Sequence, residues 1–196
     1  MTEAMRRWSK STWVVVVVLL LVASWGLFNR LLAGGPYKGR VIDAETKKPL
    51  EGAVVLAVWQ RVSAGVVQKA YGFLDAEEVL TDSNGRFVVG KDAPASWIPG
   101  TWVHGPDITI FYPGYGFYPR YHASPPMPLG GTEMLLKLME KEELVIELPL
   151  LKTRKERLQV QDGVLSSRIP DGKMPDLIRL VNLERQRLGL GAVHTK

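Results

Sequence analysis

The sequence has 196 residues, of which 46% are hydrophobic and 23% are charged, and this composition excludes wholesale disorder and a collagen-like repeat. It contains no cysteine, which excludes a disulfide framework, a thiolate metal site and a cysteine nucleophile. The formal net charge is +5, but residues 36–151 hold eleven basic and fourteen acidic side chains, so the basic excess belongs to the two ends. Nucleic-acid-binding domains concentrate positive charge on the folded body, so we expect no nucleic-acid partner.

Residues 1–35 are predicted to form a membrane anchor. Three basic residues precede an uninterrupted apolar run of 16 residues, 13–28. As a helix this run would rise about 24 Å, slightly less than a hydrocarbon core of about 30 Å, and residues 31–33 would close the gap. The larger positive charge before the run predicts a cytoplasmic N-terminus. The predicted anchor residues are Trp13, Val14, Leu19, Leu20, Leu21, Trp25 and Phe28.

The same segment has a second interpretation as a cleaved signal peptide. Such peptides usually have an apolar region of about 7–15 residues that ends in small residues. Val22-Ala23-Ser24 and Ser24-Trp25-Gly26 match that cleavage pattern poorly. The sequence therefore favours an uncleaved anchor that crosses a bacterial inner membrane once, with the remaining chain in the periplasm, and it leaves cleavage open.

Residues 36–150 are predicted to form a mostly β domain. Short apolar and β-branched runs alternate here with polar turns, without a helical period between them. Residues 53–59 are continuously apolar, as expected of a central strand that is covered on both faces. About seven such strands indicate an antiparallel Greek-key-type β-sandwich. The predicted strands are residues 38–43, 52–62, 77–81, 86–89, 107–112, 135–138 and 144–148.

The turn at residues 82–85 is the clearest hairpin signal. Asn84 and Gly85 form the dipeptide that most readily supplies the positive φ angles of a tight turn. Asp82 begins the same Asp-Ser-Asn-Gly turn. We expect this turn to be structural.

Three motifs in this domain occur in the order and spacing of a known family. They are Gly39-Arg40-Val41-Ile42-Asp43 with Pro49-Leu50-Glu51-Gly52-Ala53-Val54-Val55, then Thr81-Asp82-Ser83-Asn84-Gly85-Arg86-Phe87, then Pro113-Gly114-Tyr115. This pattern resembles the carboxypeptidase regulatory-like domain, which has a transthyretin-like sandwich of about seven strands. The resemblance covers residues 37 to about 148 and implies an accessory domain without catalytic residues of its own.

The sequence has few residues suited to catalysis. Zinc catalysis generally needs three protein ligands and a water, and His104, Asp107 and His122 do not have the spacing of a metal motif. The sequence has no G-x-S-x-G elbow and no phosphate-binding glycine-rich loop. We therefore expect no enzyme activity, no cofactor and no metal.

Residues 97–121 contain eight aromatic side chains among prolines and glycines. Such rings provide large contact areas at low entropic cost, so they could bind a carbohydrate or a protein partner. The alternative is that they complete the sandwich core and pack long loops against it. The candidate ligand or partner contacts are Trp97, Trp102, Tyr115, Tyr118 and Tyr121.

Residues 151–196 are predicted to form a basic helical appendage. One helix is expected at residues 151–161, and a second begins with Met174-Pro175-Asp176 and ends at Gly189 or Gly191. The second helix could dock on the sandwich through its apolar face, or bind an anionic membrane or a protein. The whole sequence predicts a non-catalytic, membrane-anchored module for protein interaction or structural support in the bacterial envelope, with polysaccharide or cell-wall binding as the alternative.

Overall fold

The computed structural model describes residues 10–32, 34–64, 69–125 and 131–193. Within these ranges it contains four α-helices, six β-strands and one 3₁₀ turn. In chain order these are α1 (Lys10–Leu32), β1 (Tyr37–Asp43), β2 (Val54–Ser63), β3 (Ala70–Leu80), β4 (Arg86–Val89), β5 (Thr101–Phe111), α2 (Gly131–Lys141), β6 (Leu144–Leu148), α3 (Arg154–Val164), the 3₁₀ turn (Asp171–Lys173) and α4 (Pro175–Arg187).

The strands form two three-stranded sheets that share one core. In the first sheet the order is β4-β1-β6, with β1 antiparallel to β4 and parallel to β6. In the second sheet the order is β3-β2-β5, and both pairings are antiparallel. The core between the sheets contains Val41 and Ile146 from the first sheet, and Val55, Trp59 and Ile110 from the second, all almost completely buried.

The prediction of a seven-stranded antiparallel sandwich is wrong. The described residues contain six strands, one strand pair is parallel, and residues 135–138, predicted as a strand, belong to α2. The buried side chains of α2 are Leu135 and Met139, which are four residues apart and so lie on one helix face. A short run of leucines, without β-branched residues, does not by itself distinguish a strand from a helix. The other six predicted strands overlap β1 to β6.

The turn at residues 82–85 forms as predicted, but it does not make a hairpin. The Gly85 N–H donates to the Asp82 carbonyl oxygen at 2.8 Å. The Asp82 carboxylate accepts from the N–H groups of Asn84, at 2.9 Å, and Arg86, at 2.8 Å. The turn joins β3 to β4, and these strands belong to different sheets. It is therefore the corner at which the chain passes from one sheet to the other.

The predicted membrane anchor is wrong. Residues 10–32 form α1, but no helix in the described part of the chain is long and apolar enough to cross a membrane. The apolar run at residues 13–28 rises about 24 Å against a hydrocarbon core of about 30 Å, and Asn29 and Arg30 follow it in the sequence. The predicted single-pass location in an inner membrane depended on this anchor and is wrong as well. The anchor residues Trp13, Val14, Leu19, Leu20, Leu21, Trp25 and Phe28 all lie on α1.

Helices α3 and α4 form a third layer on the outer face of the second sheet. Val54 and Leu56 of β2 point into this layer, where they share a second apolar core with Val160 of α3 and with Leu177 and Val181 of α4. This packing explains why β2 is apolar on both faces. The sequence prediction that β2 is a central, doubly covered strand is confirmed.

Polar contacts hold the third layer in place. Glu78 of β3 accepts hydrogen bonds from the first-turn N–H groups of Asp176, at 2.8 Å, and Leu177, at 2.6 Å, so a strand side chain caps α4. Arg157 of α3 donates to both carboxylate oxygens of Glu184 on α4, at 2.6 and 2.7 Å. Glu184 is only 1% exposed, so this pair holds a buried carboxylate between the two helices. The position of α4 agrees with the sequence prediction.

We predict that Arg157→Gln lowers the free energy of unfolding by about 1.5–3 kcal/mol, because the Glu184 carboxylate would stay buried without its cation. Urea denaturation followed by circular dichroism measures this difference. The matched control is Arg179→Gln, because Arg179 also binds a carboxylate, that of Asp176, but on the exposed surface. The control should cost less than about 1 kcal/mol. Equal losses for the two variants would contradict the role given to the buried pair.

Candidate functional site

The five aromatic residues predicted as ligand contacts do not form one surface. Tyr118 is 3% exposed and belongs to the core between the sheets. Trp97 is 56% exposed, and its ring lies directly against Gly26 of α1, where a Cβ atom would clash. Trp102 is half-buried beneath Lys69, whose Nζ lies 5.6 Å from the ring centroid. The predicted cluster is therefore distributed over separate parts of the molecule.

The remaining two tyrosines also have structural contacts. Tyr121 packs against Phe117 with ring centroids 5.4 Å apart. Tyr115 donates a hydrogen bond from its hydroxyl to the Asp43 carboxylate at 2.8 Å. Tyr115 also forms an isolated β-bridge with Leu150, so this tyrosine joins the loop after β5 to the ends of the neighbouring strands β1 and β6.

Asp43 is an almost buried carboxylate that is held by three hydrogen bonds. Besides the Tyr115 hydroxyl, it accepts from the N–H groups of Glu45, at 2.8 Å, and Thr46, at 2.7 Å. Burial raises the pKa of Asp43, but the hydrogen bonds from Thr46, Tyr115 and Glu45 together outweigh burial and lower it. Burial and the bond to Asp43 raise the pKa of Tyr115 to about 12. The two pKa shifts keep the Asp43 carboxylate ionised and the Tyr115 hydroxyl protonated, as expected of a structural hydrogen bond rather than of a reactive pair.

A different set of residues surrounds two adjoining hollows along β5, the first on the outer face of the second sheet and the second at the edge that β5 forms. The first hollow has a volume of about 270 Å³, and the residues that matter for its chemistry are Gln60, Tyr71, Phe73, Asp107, Thr109 and Arg168. The second has a volume of about 240 Å³, and its wall includes Asp107, Thr109, Phe117, Arg120, Leu135 and Gly163. Asp107 and Thr109 are common to both. The two hollows together are named the β5 groove.

The alternation of β5 positions the centre of the groove. Ile108 and Ile110 point into the core between the sheets, so Asp107 and Thr109 point to the outer face. Asp107 is paired in register with Val58 of β2, and the Gln60 amide two residues further along donates to the Asp107 carboxylate at 2.7 Å. This hydrogen bond fixes a carboxylate and an amide side by side at the floor of the groove.

Aromatic side chains form one wall of the first hollow. Tyr71 and Phe73 lie on β3, and Phe73 is paired in register with Gln60. The Tyr71 ring is 56% exposed and meets the His104 ring edge-on, with centroids 5.9 Å apart. Tyr71 therefore presents a ring to solvent beside the polar floor, in an orientation that is supported from β5.

Each hollow is lined by one arginine. Arg168 lines the first hollow, and Arg120 lines the second. A Cβ atom at Gly163 of α3 would lie 3.3 Å from Nη1 of Arg120 and 3.3 Å from the Phe117 ring, so the glycine leaves room for both side chains. The two guanidinium groups and the Asp107 carboxylate place charged groups in both hollows, next to apolar side chains such as Phe73 and Leu135.

The described lining of the groove contains few ionisable side chains. Its lining contains one carboxylate, Asp107, and no second carboxylate faces it from the described lining residues. Across the described ranges no group of three histidine, aspartate or glutamate side chains could hold a metal ion. Of the histidines considered above as zinc ligands, His104 packs against Tyr71 and His122 places Nε2 2.8 Å from the carbonyl oxygen of Pro125.

Sequence reasoning missed most of this groove. Its residues come from β2, β3, β5, α2, α3 and the loops after β5 and α3, so no stretch of sequence contains them. The available signal was the alternation of polar Asp107 and Thr109 with apolar Ile108 and Ile110, which predicts that one face of β5 is polar. No family model, curated protein or solved structure matches this chain.

We predict that Tyr115→Phe lowers the free energy of unfolding at pH 7 by about 1.5–3 kcal/mol, because it removes a hydrogen bond to a charged group. The lowered pKa of Asp43 gives a stabilisation that is present above the usual aspartate pKa and is lost as pH falls through the folded-state value. The difference between wild type and variant should therefore shrink in acid. Urea unfolding at several pH values measures it.

The raised pKa of Tyr115 gives the opposite dependence in alkali. The stabilisation that Tyr115 contributes is present below the ordinary tyrosine pKa of about 10 and is lost as pH rises towards about 12. The free energies of unfolding of wild type and Tyr115→Phe should therefore also converge at high pH. Tyr112→Phe is the matched control, since Tyr112 contacts the Tyr115 ring at 5.5 Å and its hydroxyl makes no hydrogen bond within the described chain. If the difference in free energy of unfolding between wild type and Tyr115→Phe stays constant from acid to alkali, the stabilising role given to the hydrogen bond between Tyr115 and Asp43 is contradicted.

Proposed function

We propose that this chain is a non-catalytic binding module that holds a glycan in the β5 groove. The observation that carries the proposal is the position of the exposed Tyr71 ring beside the hydrogen-bonded pair of Gln60 and Asp107. A sugar ring has apolar C–H faces and a polar edge of hydroxyl groups. An aromatic wall next to a floor of fixed donors and acceptors complements both parts.

Each polar group of the floor has capacity left for a ligand. An ionised carboxylate accepts several hydrogen bonds, and Asp107 uses one of its oxygens to accept from Gln60. The Gln60 carbonyl oxygen and the Thr109 hydroxyl supply further acceptors and a donor in the same hollow. Neighbouring sugar hydroxyls can therefore bond to adjacent protein groups at one site.

The absence of a second carboxylate in the described lining supports binding over hydrolysis. Glycoside hydrolases canonically use a pair of carboxyl groups on either side of the scissile bond. In the groove, Asp107 is flanked by Gln60 and Thr109 instead. The sequence resemblance to an accessory domain supports the same conclusion, since such domains serve binding or assembly.

We predict that Tyr71→Ala weakens glycan binding by about tenfold or more, because the variant loses the aromatic wall of the first hollow. The measurement is affinity electrophoresis of the purified full chain in gels that contain dextran, xylan or hyaluronan. The matched control is Trp97→Ala. Trp97 has the same exposed fraction, 56%, but lies against α1 rather than at the groove.

The control should leave retardation in the gel unchanged, and urea unfolding should establish that both variants are folded. If Trp97→Ala abolishes binding and Tyr71→Ala does not, the site is the one that the sequence predicted rather than the β5 groove. If none of the three polysaccharides retards the folded wild type, the glycan-binding proposal is contradicted.

Interaction with a protein partner is a second candidate function, and α1 is the observation that favours it. Val14, Leu20 and Leu21 are each more than 60% exposed on this helix. Exposed apolar patches of this kind often mark protein interfaces. Combined replacement of Leu20 and Leu21 with serine should remove a stoichiometric partner from a crosslinked pull-down, whereas Tyr71→Ala should retain it. Loss of the partner in Tyr71→Ala instead would place the interface at the groove.

A further inference from the structure

We infer that the ligand of the β5 groove is an acidic glycan, with carboxylate-bearing sugars on both sides of a neutral one. This inference rests on the proposed function and concerns the same site. It follows from the order of charges along the groove. Arg168 belongs to one hollow and Arg120 to the other, while Asp107 lines both and therefore lies at their junction. From one end of the groove to the other, the positive charge of Arg168 is followed by the negative charge of Asp107 and the positive charge of Arg120.

The two arginines are free to bind a ligand. Most arginines in the described chain have a partner, as Arg157 has with Glu184 and Arg179 has with Asp176. Within the same described ranges, the guanidinium groups of Arg120 and Arg168 form no ion pair or hydrogen bond. Both side chains are exposed, and each keeps its full set of planar donors for a carboxylate, which arginine binds in a bidentate manner.

Asp107 determines where a ligand carboxylate can lie. Its negative charge at the centre of the groove repels another carboxylate placed directly on the floor. The same oxygen atoms accept hydrogen bonds from sugar hydroxyls. A neutral, hydroxyl-bearing sugar therefore fits the centre, beside Asp107 and Gln60, and uronate carboxylates fit the two ends, beside Arg120 and Arg168.

The experiment compares three soluble polysaccharides on the purified full chain by isothermal titration calorimetry. Hyaluronan alternates uronate with a neutral sugar, polygalacturonate carries a carboxylate on every sugar, and dextran is neutral. Hyaluronan should bind most tightly, and added salt should weaken that binding because salt screens exposed charge. Arg120→Gln and Arg168→Gln should each weaken hyaluronan binding by about tenfold, the loss of roughly 1.4 kcal/mol of interaction.

Arg187→Gln is the matched control, since Arg187 is exposed on α4 and lies outside both hollows. It should bind hyaluronan as the wild type does. Equal affinity for polygalacturonate and hyaluronan would overturn the alternating charge pattern. Dextran binding that Tyr71→Ala abolishes and the arginine variants leave unchanged would overturn the acidic ligand and keep the glycan-binding function. Failure of the wild type to bind any of the three would overturn both.

Discussion

Burial of β2 on both faces is the constraint on which the architecture depends. The six residues 54–59 are each no more than 9% exposed. Burying one large apolar side chain contributes about 1.5–3 kcal/mol, so leaving either face of this strand in water would cost a large part of a domain's stability. The first sheet covers one face, where Val55 and Trp59 lie. The helical layer of α3 and α4 covers Val54 and Leu56 on the other.

The groove exists because that helical layer is incomplete. Glu78 fixes the start of α4, and the pair of Arg157 and Glu184 fixes α3 against it, so the helices cover one end of the second sheet. Beyond the last turn of α3 the outer face changes from apolar to polar, at Gln60 and Asp107. Polar side chains at that end remain hydrated at little cost. The same layer that completes the core thus leaves a polar hollow beside its own edge.

The aromatic residues show why local density did not identify the site. Tyr118 is used in the core and Tyr115 is used to hold Asp43, although both lie in the aromatic-rich stretch. Tyr71 and Phe73 line the groove from β3, well outside that stretch. A ring that must pack a long loop and a ring that must meet a ligand need the same flat apolar surface. Only the exposure of each ring and its neighbours distinguish the two uses.

Local patterns in the sequence were sufficient to predict most of β1, β2, β4 and β6, the second part of β5 and the start of α4 at Pro175. Alternation, β-branching and a proline in the first helical turn act over a few residues, so they can be recognised without a structure. The tertiary structure decided that residues 135–138 are helical and that the 82–85 turn separates two sheets, and its described part contains no helix long and apolar enough to cross a membrane. It also brought Asp107 together with Tyr71 and Arg168, because strand register and the packing of α3 join positions that are far apart in the chain.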